Sequence, residues 1–328
     1  MSAATRLLNA CVAGLCLAAG VTAGVAHAQG YPAKPVRVIV PFAAGSGSDV
    51  GIRVLVEYLS KNSSQGFVVE NRPGAGGNLG MAAGAKAAPD GYTLVTGGLG
   101  SNVLNQFMYS PEQMGFDPVR DLEPIIIMGR LPLMMAASPT FPASSVAELV
   151  TAAKAKPGAI NAAYTATAAR LVLELFGRTT GAPITLVPYK AGAQALTDVM
   201  SGIVGITADT VVSLRPHVAS GRLKPLAVTT RRSTELLPNV NSVAEQGYPD
   251  FEIVGWISLY GPKGTPREAV TYVNGALNKA LALPETRRRF AELGFEPGSG
   301  TPQDLTNYEI AERNKWGPLI KAANITAD

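Results

Sequence analysis

Val36–Asp49, VRVIVPFAAGSGSD, passes from a β-branched apolar run into a glycine-rich turn and then into a helical pattern that begins near Asp49. Such a turn aims several backbone N–H groups at one spot, where the helix dipole adds positive potential, so it is suited to hold a small anion. As a dinucleotide fingerprint the spacing fails. Gly45-x-Gly47 is present, but the next glycine is Gly51, one position too late for G-x-G-x-x-G, although Glu70 closes a second strand where a ribose-binding acid would stand. As a phosphate loop the turn lacks the lysine. As a carboxylate cradle it has glycines for close backbone approach and the Ser46 and Ser48 hydroxyls as donors. The plain alternative is a strand-to-helix turn with Asp49 as N-cap.

Outward from this turn, apolar β-branched runs recur at Phe67–Val69, Tyr92–Thr96, Pro124–Met128, Ile184–Val187, Ile203–Thr207, Pro225–Thr229 and Ile253–Leu259. Helical patterns lie between most of them: Val50–Lys61, Asn78–Ala87, Ser145–Ala155, Ala168–Thr179, Ala191–Ser201 and Val211–Ser220. This alternation predicts α/β layers with mostly parallel strands. After Pro266 the pattern turns helical, with Pro266–Ala282, Pro284–Leu293 and Pro302–Ala323 each carrying a proline at the first turn. No solenoid-period repeat and no low-complexity linker is visible. Two domains are therefore expected to be joined by ordered strands, with Ile125–Ser138 and Phe251–Pro262 as the crossing segments. The first domain is then discontinuous, 31–130 plus 255–328, and the second is 131–254, with a cleft between them.

The start of the chain says where such a molecule works. Arg6, an apolar stretch from Leu7 to Val25 and Ala26-His27-Ala28 before Gln29 read as a secretory signal peptide over 1–28, with an uncleaved anchor or a lipid on Cys11 as alternatives. Both cysteines, Cys11 and Cys16, fall in that segment, so the mature chain has no thiol. Export without disulfides suits a periplasm. His217 is the single mature histidine, which argues against histidine metal sites and Ser-His-Asp chemistry. With Arg6 gone, 27 basic residues face 24 acidic ones. They are scattered, and Arg287-Arg288-Arg289 sits beside Glu285 and Glu292 as a solvated helix face, so nucleic-acid binding has no support.

Glu70–Asn78, ENRPGAGGN, reads as a tight loop whose glycines supply positive φ, with Asn78 capping the next helix. Together, YPAKPVRVIVPFAAGSGSD, VVENRPGAGGNLG, AAPDGYTLV, LVPYKAGAQALTDVMSG, LKPLAVTT, LLPNVNSVAEQGYPDFE and YGPKGTP resemble, in order, the tripartite tricarboxylate transporter substrate-binding family, also called Bug proteins. The similarity covers essentially all of the mature chain. It implies a two-domain periplasmic binding protein of the Venus flytrap kind, type II-like, with two crossover strands and a C-terminal helical tail. It implies a monomer with no cofactor and no catalytic residue, which closes on a small organic carboxylate and hands it to membrane transporter subunits.

Carried over by position, the resemblance places the ligand among Ala44, Gly45, Ser46, Gly47, Ser48 and Asp49, the Gly97–Asn102 loop with Gly97 and Ser101, the Ala163–Thr167 loop, and Asp209 with Thr210. Relatives usually read PF-x-x-G-G-x-x-D in the first loop, where this chain has Ser46 at the second glycine. Backbone donation survives that change if φ there is not strongly positive. In the second domain, AAYTATAARL replaces a longer Ser/Gly-rich stretch. Tyr164 then offers a ring, Thr165 and Thr167 offer hydroxyls, and Arg170 stands near the usual histidine position. Arg170 gripping a second carboxylate predicts a dicarboxylate, and stacking on Tyr164 an aromatic acid. The alternative leaves Arg170 at the surface and Tyr164 packed under the loop. Trp256 and Trp316 are expected in core or hinge packing. A rival class, a secreted hydrolase using Ser46, Ser48 or Ser101 with His217, lacks a G-x-S-x-G elbow. A binding protein that serves as sensor or scavenger without a transporter is a second rival.

Overall fold

The computed structural model describes residues 30–326. The expected signal peptide lies outside the described residues. The opening turn joins β1 (Val36–Val40) to α1 (Gly47–Asn62), followed by β2 (Phe67–Asn71), α2 (Asn78–Ala85) and β3 (Thr93–Gly98). β1 lies between β2 and β3 and is parallel to both. Val36, Val38, Ile39 and Val40 are fully buried, as a parallel strand covered on both faces requires. α1 sets Ile52, Leu55, Val56 and Leu59 into the same core by i, i+3, i+4, i+7 spacing. β3 runs into a π-helical turn, Leu99–Leu104, and the short helices α3 (Asn105–Met108) and α4 (Pro111–Met114).

β4 (Leu122–Ala137) is far longer than the expected Pro124–Met128. It leads to α5 (Val146–Ala155), β5 (Asn161–Tyr164), α6 (Thr167–Thr180), β6 (Thr185–Pro188), α7 (Gly192–Met200), β7 (Ile206–Thr210), α8 (Val211–Ala219) and β8 (Lys224–Val228). Here β5 lies between β6 and β7, parallel to both, so the second half repeats the strand order of the first without a repeat in sequence. β9 (Val254–Pro262), α9 (Arg267–Ala282), α10 (Pro284–Leu293), β10 (Glu296–Pro297) and α11 (Pro302–Ala323) complete the chain. Thr301 and Asp304 form a capping box over Pro302, so α11 starts where its sequence demands.

The strands follow one hydrogen-bonded path, β2-β1-β3-β9-β4-β7-β5-β6, with β8 and β10 on β4. β4 spans both lobes: Leu122–Pro132 pairs with β9, and Leu133–Ala137 pairs with β7. β9 is antiparallel to β3 and to β4, so the returning chain re-enters the first sheet between them. Buried Thr229 ties the crossing segments together. Its N–H and Oγ1 approach Leu133 O at 3.0 and 3.2 Å, its Oγ1 lies 2.6 Å from Ile253 O, and Ile253 N–H donates to Thr229 O at 2.9 Å. α11 packs on β4 and on the π turn, and α6 reaches the same turn from the other lobe.

Candidate functional site

The sequence places the start of the first helix near Asp49; the structure starts it at Gly47 with Ser46 as N-cap, its Oγ accepting from Asp49 N–H at 3.4 Å. Ser46 has φ −65°, so a side chain is tolerated where relatives carry glycine. Gly45, at φ +82°, is the position in this turn that needs glycine. Its N–H donates to Asp49 Oδ2 at 2.9 Å, and Ser46 N–H donates to Ala43 O at 3.1 Å. The first-turn amides of Gly47 and Ser48 have no protein acceptor among the described residues. Gly47 itself sits at the lobe interface. A side chain there would begin 2.7 Å from Leu131 Cδ2 and 3.6 Å from Thr210 Oγ1.

Thr210 caps α8, its Oγ1 accepting from Ser213 N–H at 3.3 Å. The other first-strand turn makes the matching approach. Thr167 opens α6 after β5, and its Cβ lies 3.7 Å from where a side chain on Gly100 would start. Each lobe thus faces the helix start after its central strand, α1 or α6, toward the end of the third parallel strand of the other lobe. The lobes also bond directly: Thr167 Oγ1 donates to Asn105 Oδ1 at 2.9 Å. Asn105 Nδ2 donates to Asn78 Oδ1 at 2.7 Å and to Gly76 O at 3.1 Å. Gly74, Gly76 and Gly77 all have positive φ, which folds their loop under this network. Asn78 is therefore the first residue of α2 and part of the clasp, not the cap expected from sequence; Gly77 takes that place in the left-handed conformation.

The family model for the tripartite tricarboxylate transporter family receptor matches residues 52–325. The chain belongs to this family. It is 33% identical over 319 residues to Protein BugT of Bordetella pertussis, covering 97% of both chains. A solved structure of R. palustris Rpa4515 with adipate superposes with TM-score 0.87 at 34% identity, covering 90% of this chain and 99% of that one. MatC (Rpa3494) from Rhodopseudomonas palustris, with bound malate, gives 0.82 at 27%, covering 88% and 100%. The architecture is that of the two-domain periplasmic binding proteins. Family members are periplasmic receptors, and no helix among the described residues is long and apolar enough to cross a membrane.

Within this receptor the structure brings Gly47, Thr167 and Thr210 to the lobe interface; half-buried Ser46 and Ser48 flank Gly47 in the chain, Ala44 and Gly45 before it are exposed, and half-exposed Thr165 lies two residues before Thr167. Other residues carried over by position are spent inside the protein. Asp49 is 3% exposed and accepts from Gly45 N–H, Arg53 Nε and Asn71 Nδ2, each at 2.9 Å. Burial raises its pKa, but these donors outweigh burial and hold it below the usual range. It shapes the loop, with three acceptor positions already filled by protein donors. Gly97 lies in the buried part of β3, against Asn102 and Tyr260. Ser101 is fully buried, its hydroxyl accepting from Gly98 N–H at 3.2 Å and facing Asn102 Oδ1 at 2.8 Å.

Arg170 differs most from its expected role. Its Nη1 donates to Thr326 O at 2.6 Å and its Nε lies 3.6 Å from Glu174 Oε1, so it anchors the C-terminal segment to α6. Its side chain is only 13% exposed, which also excludes the surface alternative. Tyr164 is 9% exposed and belongs to the main apolar core, with the Arg170 guanidinium 5.9 Å from its ring centre. The packed alternative holds there. Asp209, beside Thr210, accepts from Thr210 N–H at 2.6 Å, and burial pushes its carboxyl above the usual range against that bond. Trp256 and Trp316 are 2% and 1% exposed, as core or hinge packing requires. Sequence reading missed Asn105, Leu131 and Thr229, whose roles depend on residues distant in the chain and leave no local pattern.

Proposed function

We propose that the chain captures a small organic dicarboxylate between its lobes, without chemical change, and presents it to a transporter in the periplasm. The observation that carries this reading is the paired approach of Gly47 to Thr210 and of Gly100 to Thr167. Helix starts from both lobes border the same cleft, so an anion with a charge at each end finds first-turn N–H groups at both. A carboxylate leaving water must recover its hydrogen bonds, and these donors, with bridging waters, serve that need. The adipate of Rpa4515 and the malate of MatC support the same ligand class. Burial of Tyr164 disfavours the aromatic-acid alternative. The hydroxyls of Ser46 and Ser101 are engaged by backbone N–H groups, which favours binding over hydrolysis.

We place the lobe boundaries at 131 and 254, next to the point where β4 passes from β9 to β7 between Pro132 and Leu133, and take Thr229 as the staple of a hinge that closes on the ligand. Membership of a transporter-receptor family supports membrane subunits as the partner. Thermal-shift measurements with adipate, malate and their monocarboxylate counterparts test the reading. Dicarboxylates are expected to raise Tm through preferential binding to the folded form, by about 2.7 kcal/mol of stabilisation at a hundredfold excess over Kd. Equal or absent shifts across the whole set overturn it. Sensor or scavenger activity would leave the same shifts but no transporter association.

A further inference from the structure

Glu309, on α11, is a buried acid with no part in the cleft as described above. It is 5% exposed, and its Oε1 accepts from Tyr260 Oη at 2.6 Å. Tyr260 Oη in turn accepts from Ser258 Oγ at 2.8 Å, and both residues are buried on β9. Arg313, one turn along α11, brings Nη1 to 3.7 Å from the other carboxylate oxygen. Burial raises the proton affinity of Glu309, while Tyr260, Arg313 and Asn102 act in the opposite sense. A carboxylate is costly to bury unless such partners surround it.

The same cluster abuts the cleft wall. Ser258 is the register partner of Gly97, and a side chain on Gly97 would meet the Asn102 carboxamide and, at 2.7 Å, the Tyr260 ring. Asn102 Oδ1 accepts from Gly98 N–H at 3.1 Å, at the entrance of the π turn that faces Thr167. Tail helix and crossing strand therefore share one buried polar cluster, and the Tyr260 ring at its end packs beside Asn102 of the cleft turn, both flanking Gly97. We propose that Glu309 is a positioning residue: by holding Tyr260, whose ring flanks Gly97 together with the Asn102 carboxamide, it locks the π turn Leu99–Leu104 to β9, so that this wall of the cleft moves with the hinge and not independently of it.

What the turn is positioned for rests on the binding reading above, but the positioning itself is testable without ligand. Hydrogen exchange with mass-spectrometric readout on the ligand-free full chain should show exchange at Gly98–Leu104 and in β9 rising about tenfold or more in E309A, with α1 and β5–β7 at wild-type rates. E309Q retains a carbonyl for Tyr260 and should restore most of the protection. Y260F removes a single oxygen and should reproduce the E309A pattern even if E309A does not fold. Unchanged exchange at Gly98–Leu104 in Y260F, or an equal rise across both lobes, overturns the proposal. Failure of the binding reading shows separately, as no Tm shift of the wild type with adipate or malate.

Discussion

Hydrogen-bond capacity decides which residues of the opening loop are left to meet a ligand. Asp49 looks like a site acid in sequence, yet its carboxylate is turned into its own loop, where Gly45, Arg53 and Asn71 donate to it. Arg170 is likewise committed to Thr326, so Arg170→Ala should leave dicarboxylate affinity within about twofold while lowering Tm by about 2–6 °C through the lost charged hydrogen bond. Calorimetric titration and a melting scan on one preparation check both halves. Asp209 gives a pH prediction. Its folded pKa is raised, so the stability it contributes is complete below the ordinary aspartate value and is lost as pH rises through the folded value. Asp209→Asn should flatten that decline in a Tm series taken upward from the ordinary aspartate range, and an unchanged slope would assign the decline to another group. Gly47→Val should weaken any dicarboxylate by about tenfold or more, because its side chain meets Leu131 and Thr210 where the lobes close. Wild-type affinity in that variant would move the site elsewhere.

At the scale of elements, periodicity worked where a segment is long and one-sided. α1 and the proline-led tail helices lie within a few residues of their expected bounds, and β1 stands where its β-branched run predicts it. β5 was not legible: Asn161–Tyr164 is two alanines flanked by polar and aromatic residues, and it is a strand because β6 and β7 pair with it on either side. β7 begins at Ile206 and not at Ile203, which is 70% exposed, since pairing with β4 sets the register. The crossing segments were expected, but their staple was not. Thr229→Val keeps the shape and removes the hydroxyl shared by Leu133 O and Ile253 O. It should cost about 1–3 kcal/mol in chemical denaturation. A loss below about 0.5 kcal/mol would show that the hinge does not depend on that hydroxyl.

For the whole molecule, closure is a balance between direct lobe contacts, such as Thr167 with Asn105, and those a ligand adds to both sides. Small-angle scattering should show a smaller radius of gyration when a binding dicarboxylate is added, at unchanged molecular mass. A radius independent of every ligand that raises Tm would exclude hinge closure. The amino-acid order by itself determined the α/β layering, the anion-seeking turn after β1, the helical tail and the family, because each is written in local spacing or in an ordered set of motifs. Only the tertiary structure decided which donors remain at the cleft. Asp49 is satisfied by a residue 22 positions away and Arg170 by one 156 positions away, and contacts at such separations leave no periodic trace in the chain.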